Sequence, residues 1–97
     1  MTGFQLSPAA RVDLDEMWDY TASRWSVEQA ERYIRAIVEV CQEIAVGHRE
    51  GIAVDDIRRG YRKLAVGSHF VFYREGAAGP EIIRVLHQRM DVGARLR

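Results

Sequence analysis

His69 and His87 are the residues best equipped for chemistry in this chain of 97 residues. Imidazole titrates near neutral pH and can take or give a proton there. Arg62, Arg84 and Arg89 can hold phosphate or carboxylate as planar two-pronged donors. Such a set would suit a metal-free ribonuclease, with His as base and Arg on the charge of the developing phosphorane. A plainer alternative stands beside it. His69 then caps a turn, His87 ends a strand, and neither meets a substrate. Arg89 also has a structural role open to it. It can pair with Asp91 or a nearby acid and pin the C-terminal segment to a sheet.

Other chemistries find no support. Asp55-Asp56 and the three His residues lack any recognised metal-ligand spacing. The chain has no phosphate-binding glycine loop, no Gly-x-Ser-x-Gly and no Cys-x-x-Cys. No cofactor or metal is expected. Cys41 is the one cysteine, so no internal disulfide can form, and it falls on the apolar stripe of an expected helix. Trp18 and Trp25 stand seven apart, two helical turns on one face. Core or partner-interface packing suits them better than base stacking.

The elements that must position these side chains follow from periodicity. Residues 3–6 form a short candidate strand. Ser7-Pro8 is a helix start, with Ser as N-cap and Pro tolerated at the first helical position. The helix runs to about Arg24, with Ala10, Leu14, Met17, Trp18 and Thr21 on one stripe. Asp13, Asp15, Glu16 and Asp19 cover its flanks. Ser26 with Gln29 makes a capping box for a second helix, which ends near Val46 and Gly47. Its apolar face holds Ala30, Tyr33, Ile34, Ile37, Cys41, Ile44 and Ala45. The two helices are expected to form a hairpin.

Residues 48–57 read as a polar connection, the least structured part of the chain. Strands are expected over 61–66, 69–74 and 81–87, the first pair joined by the tight turn Gly67-Ser68 and the second by a looser turn. The order βααβββ predicts a single α+β domain over residues 1–97, an N-terminal strand and helical hairpin packed on a small antiparallel sheet. Alternation puts Ile82, Arg84 and Leu86 on one face of the last strand and Ile83, Val85 and His87 on the other. Both faces are largely apolar. One is expected under the helices and the other partly covered by something else but open in the isolated chain, and a large exposed apolar patch marks a partner site.

Composition narrows the partners. The formal net charge is zero, with 14 basic and 14 acidic residues, so nothing pulls the whole molecule toward nucleic acid or a membrane surface. The distribution is uneven. Most acids lie up to Glu50, whereas residues 57–97 hold nine Lys or Arg against Glu75, Glu81 and Asp91. The C-terminal half thus offers a basic face to an acidic partner, unless these are solvated strand-edge residues. No apolar run approaches the roughly 18 residues of a membrane span. The first residues carry no basic stretch followed by an apolar one, so no signal peptide is expected. A cytoplasmic protein is the expectation.

Several blocks together resemble the ParE toxins of bacterial ParD/ParE toxin–antitoxin pairs, within the RelE/ParE superfamily. The helices contribute Leu6-Ser7 with Ala10, Asp13-Leu14, Trp18 with Tyr20, Arg24-Trp25, Glu28-Gln29-Ala30 and Tyr33. The densest blocks are Ile57-Arg58 with Gly60-Tyr61-Arg62, Gly67-Ser68-His69 with Phe72-Tyr73-Arg74, and the run from Arg84 to Asp91. One departure is Gly47-His48-Arg49, where the family often has His followed by Pro. It is expected to alter only the loop.

The resemblance implies a toxin that inhibits DNA gyrase and so replication, until a ParD-like antitoxin binds it in a hetero-oligomer, a heterotetramer. It implies no catalysis and no sequence-specific nucleic-acid binding by this chain alone. RelE-like relatives instead cleave messenger RNA on the ribosome, using basic residues on the sheet and a Tyr or His near the C-terminus. Arg62 and Arg89 sit where such basic residues would be, and His87 would be the base. After Asp91, however, no aromatic, His or acid follows. That favours the gyrase-directed class. Arg62, Arg84, His87, Arg89 and Asp91 are the candidates for toxicity. The antitoxin is expected to lay an amphipathic segment over the helical hairpin and the open sheet face, covering Leu14, Trp18, Trp25 and Tyr33.

Overall fold

The computed structural model describes residues 3–96. Its elements are β1 (Gln5–Leu6), α1 (Pro8–Arg24), α2 (Val27–Ala45), β2 (Ile52–Ala53), β3 (Arg62–Val66), β4 (His69–Gly76), β5 (Gly79–His87) and α3 (Val92–Leu96). They form an α+β architecture around one five-stranded sheet of order β1-β5-β4-β3-β2.

Local chemistry sets the helix starts. Ser7 Oγ accepts from the Ala10 N–H at 3.0 Å, and Pro8 occupies the first turn, where its missing N–H costs nothing. Ser26 Oγ does the same for the Gln29 N–H at 3.0 Å. Gly47, at φ +82°, ends α2 in the left-handed conformation expected of it. The apolar stripe of α2 buries Ala30, Ile37, Val40, Cys41 and Ile44. Burial pushes the Cys41 thiol up to about 12, so it holds its proton at neutral pH and is a packing residue.

The hairpin β3–β4 turns on Gly67-Ser68, with Val66 paired to His69. Gly67 has φ +58°, and a Cβ there would lie 2.8 Å from the Tyr33 ring and hydroxyl. A Gly67→Ala chain is therefore strained by both backbone and contact. It is expected to lose about 1–2 kcal/mol, which lowers the thermal midpoint by at least about 4 °C. A differential scanning calorimetry comparison checks this.

The sheet departs from expectation in four places. β1 runs parallel to β5, whereas the other pairs are antiparallel. β2 is a new edge strand inside the stretch read as unstructured. Two residues are too few for alternation to register. The second hairpin is also tighter than expected, since β4 and β5 extend to Gly76 and Gly79.

The fourth departure is a bulge. The β4–β5 register steps from Phe72↔Arg84 to Tyr73↔Ile82, which leaves Ile83 as an extra residue. The alternation expected for β5 therefore changes phase there. Ile82 joins Val71, Tyr73 and Val85 under the helices, and Phe72 and Leu86 face the other way. Two consecutive carbonyls of β5 then turn to the same neighbour. Ser7 satisfies both: its N–H donates to Ile82 O at 2.9 Å and its hydroxyl to Ile83 O at 2.6 Å.

The second sheet face is not open, contrary to the sequence reading. Phe72 and Leu86 are buried there against Val54 and Tyr61 from the β2–β3 connection and Leu96 from α3. The connection is ordered by its own bonds. Val54 N–H donates to Tyr61 O at 2.9 Å, and Asp55 Oδ1 accepts from the Gly60 N–H at 2.8 Å. The apolar face that suggested a partner is covered by the chain's own C-terminal helix.

Candidate functional site

The open apolar surface lies elsewhere, in a cleft of about 930 Å³ between the C-terminal half of α1, the start of α2 and the ends of β4 and β5. Its floor holds the two histidines. His69 opens β4, His87 closes β5, and they are direct cross-strand partners. Gln88 N–H donates to Ser68 O at 3.0 Å, which makes them a non-hydrogen-bonded pair, the kind whose side chains stand closest. The rings meet edge to face with centroids 5.1 Å apart.

Both rings are held by a hydrogen bond at Nδ1. Tyr33 Oη donates to Val66 O at 3.2 Å and accepts from the Ser68 N–H at 3.2 Å. It also lies 2.6 Å from His69 Nδ1. That contact, the shortest the hydroxyl makes, ties α2 to the start of β4. His87 is held from its own strand end. Its Nδ1 accepts from the Arg89 N–H at 3.1 Å, so the neutral ring carries its proton on Nε2.

Burial holds His69 below the ordinary imidazole range, the facing His87 adds to this, and Asp13 partly opposes it. The depressed value has a sign for stability. Unfolded His69 binds a proton near its ordinary pKa, about 6.5, before the folded state does. Stability is therefore full above that value and falls as pH drops through it toward the lower folded value. The thermal midpoint of the chain is expected to decline from pH 7.5 to 5.5, by less in a His69→Gln chain than in the unaltered chain. Melting curves across that range check it.

Above the pair, the wall of α1 is fixed to β5 by one buried acid. Asp13, 7% exposed, takes Arg84 in a two-pronged pair, Nε to Oδ2 and Nη2 to Oδ1, both 2.8 Å. Its Oδ2 also accepts the Val85 N–H at 2.9 Å. Beyond Leu6 the β5 edge has left β1 behind, and the Asp13 carboxylate supplies the missing acceptor. Asp13 raises the Arg84 pKa, chiefly through these hydrogen bonds, although burial opposes it.

The candidate cations are not gathered at the histidines. Arg62 donates to Gly51 O at 2.7 Å and lies 3.5 Å from Glu50. It sits at the far end of β3, four residues from Val66, which pairs with His69. That is about 13 Å along the strand. Arg84 is engaged with Asp13, and its Nη1 reaches Arg95 O at 3.4 Å. Arg89 is exposed and makes no ion pair among the described residues. The Arg89–Asp91 pairing offered from sequence is not made. Asp91 Oδ1 instead accepts from the Ala94 N–H at 3.4 Å, at the start of α3. Arg97, one of the nine basic residues counted above, lies outside the described residues.

The four residues expected to meet a partner separate as well. Trp25, 70% exposed, and Tyr33 line the cleft. Leu14 is packed in the helix–sheet core, and Trp18 is half-buried away from the cleft lining. Trp25 is the C-cap of α1 and has left helical geometry, so the two tryptophans do not share a helical face. Sequence reasoning missed Tyr20, Met17 and Met90, which line the cleft with Trp25. It also left Asp13 as a solvated flank residue. The spacing from Met17 to Tyr20 was visible, but Met90 and Arg84 join this site only through the tertiary fold.

A family model, "ParE toxin of type II toxin-antitoxin system, parDE", matches residues 4–92. The chain belongs to the ParE toxin family. Toxin ParE1 of Mycobacterium tuberculosis is 50% identical over 94 residues, covering 96% of each chain. Toxin ParE1 of Caulobacter vibrioides is 46% identical over 96 residues, 99% of each. A solved structure titled "Chromosomal ParDE TA system from P. aeruginosa" has the same fold. Its TM-score is 0.76 at 20% identity, covering 90% of this chain and 96% of that one. For this ParE-family chain, then, the helical hairpin on an antiparallel-rich sheet is a shared scaffold. Among the described residues no helix is long and apolar enough to cross a membrane.

Proposed function

We propose that this ParE-family toxin acts in the cytoplasm by binding and inhibiting DNA gyrase, and that a ParD-type antitoxin neutralises it in a heterotetrameric complex. It catalyses nothing in this reading. The family assignment over residues 4–92 supports a toxin of this class. The observation that favours binding over messenger RNA cleavage is the placement of the cations. Arg62 lies about 13 Å along the sheet from the histidines. Arg84 is held by Asp13. His87 presents Nε2–H, a donor, to the cleft, with its other nitrogen occupied by the Arg89 N–H. A phosphodiester at His87 would meet no pair of guanidinium groups.

The cleft is the proposed antitoxin seat. Tyr20, Trp25 and Met90 are exposed large apolar residues, and all three line it. An amphipathic segment that folds on binding would cover them. Arg89, exposed on the basic C-terminal side, is left as the candidate for target contact. Expression of the chain from a tight promoter tests the reading. Growth arrest with induction of the DNA-damage response, relieved by co-expressed ParD-type antitoxin, is the expected result. Arrest with cleaved messenger RNA and no DNA damage would refute it.

A further inference from the structure

Glu16 on α1 and Arg32 on α2 stand on opposite walls of the cleft, and neither makes an ion pair among the described residues. We infer that these two charges decide which flank of the antitoxin segment meets which helix: the segment turns a basic side chain toward α1 and an acidic one toward α2. This rests on the reading that a ParD-type antitoxin occupies the cleft.

Helical spacing places both side chains in the lining. Asp13, Glu16 and Tyr20 stand at i, i+3 and i+7 on α1, and Gln29, Arg32 and Ala36 have the same spacing on α2. Each wall therefore carries one sign of charge. On the α1 wall Asp13 is engaged by Arg84 and the Val85 N–H, which leaves Glu16 as the acid open to a ligand. Arg84 feels Glu16 through space but bonds to Asp13. Arg24, the nearby cation of α1, is stacked 5.2 Å over the Tyr20 ring and lies outside the lining. The α2 wall has Arg32 and no acid. Glu28 stands four residues before Arg32, the spacing of a helical ion pair, yet does not pair with it.

Tyr20, Trp25 and Met90 call for an apolar face on the segment, and an apolar face alone fits the cleft in either chain direction. Reversing the segment exchanges its flanks. Because the walls differ in sign, the exchange brings like charges together and penalises the reversed complex. Apolar burial thus supplies affinity, and Glu16 and Arg32 supply direction. A uniformly acidic segment, the partner that the basic C-terminal half alone suggests, is repelled at Glu16. Arg89 lies outside the lining and takes no part.

The test is the dissociation constant of the full chain with a full-length ParD-type antitoxin that co-purifies with it, at low and high salt. Glu16→Lys and Arg32→Glu should each weaken binding about tenfold at about 50 mM salt, and by much less at about 0.5 M, where exposed charges are screened. Asp15→Lys and Arg35→Glu make the same charge changes outside the lining and should bind within about twofold of the unaltered chain. All four side chains are exposed, so the variants should keep the urea midpoint of the unaltered chain, which separates a loss of binding from a loss of folding. Losses no larger than those of the matched controls, losses that survive high salt, or tighter binding by either cleft variant would overturn the inference and leave the antitoxin seat standing. Full affinity in a Trp25→Ala chain would instead unseat the antitoxin from the cleft.

Discussion

Replacing Arg84 with alanine is expected to destabilise the chain by about 3–5 kcal/mol. Asp13 is 7% exposed and, among the described residues, keeps one other bond to the sheet, from a backbone N–H. Without the guanidinium it is a buried charge with most of its compensation gone. Folded chains are held by only about 5–15 kcal/mol, and one of this length belongs at the low end. The variant should therefore show a much lower urea midpoint with the slope unchanged. The pair itself need not be strongly net stabilising. An Asp13→Leu, Arg84→Met double variant should recover much of the loss, because removing both charges removes the desolvation cost along with the attraction. A double-mutant cycle separates the two contributions. The consequence for function is direct. Loss of toxicity in Arg84→Ala would report unfolding, whereas Arg89→Ala, on an exposed side chain, should leave stability within about 0.5 kcal/mol of the unaltered chain.

Trp25→Ala should have the opposite profile. The ring is 70% exposed and contributes little to the core, so folding stability should hold. Placed at the mouth of the cleft beside Tyr20 and Met90, it is the largest apolar surface an antitoxin segment can cover. Central aromatic anchors cost about 2 kcal/mol or more when truncated, which is about 30-fold in affinity. Calorimetric titration with the antitoxin checks the affinity. In cells, the Trp25→Ala toxin should still arrest growth, and antitoxin at its usual level should no longer relieve the arrest.

The two variants also mark what sequence could and could not reveal. Helix starts at Ser7-Pro8 and Ser26 are local events, set by a hydroxyl and an N–H three residues on, and were legible. So was the Gly67-Ser68 turn, where a positive φ requires glycine. The Asp13–Arg84 pair joins residues 71 apart in sequence, and an acid beside Leu14 on a helix reads as solvated. The β5 faces were misjudged beyond one point, the bulge at Ile83, because a single extra residue reverses alternation and leaves no compositional trace. The covered second face followed from α3, five residues whose burial depends on Leu96. The histidines lie on adjacent strands, as the expected strands over 69–74 and 81–87 implied. Of the bonds that hold their rings, the Arg89 N–H lies two residues from His87, whereas Tyr33 meets His69 only through the fold.

The proposed action is inhibition of gyrase by contact, with no cutting of RNA. Purified chain added to gyrase and relaxed plasmid, beside a ribosome-programmed translation reaction with the same protein, tests it most directly. Loss of supercoiling with accumulation of cleaved DNA, and intact message, is the result predicted. Normal supercoiling with cut message would contradict it.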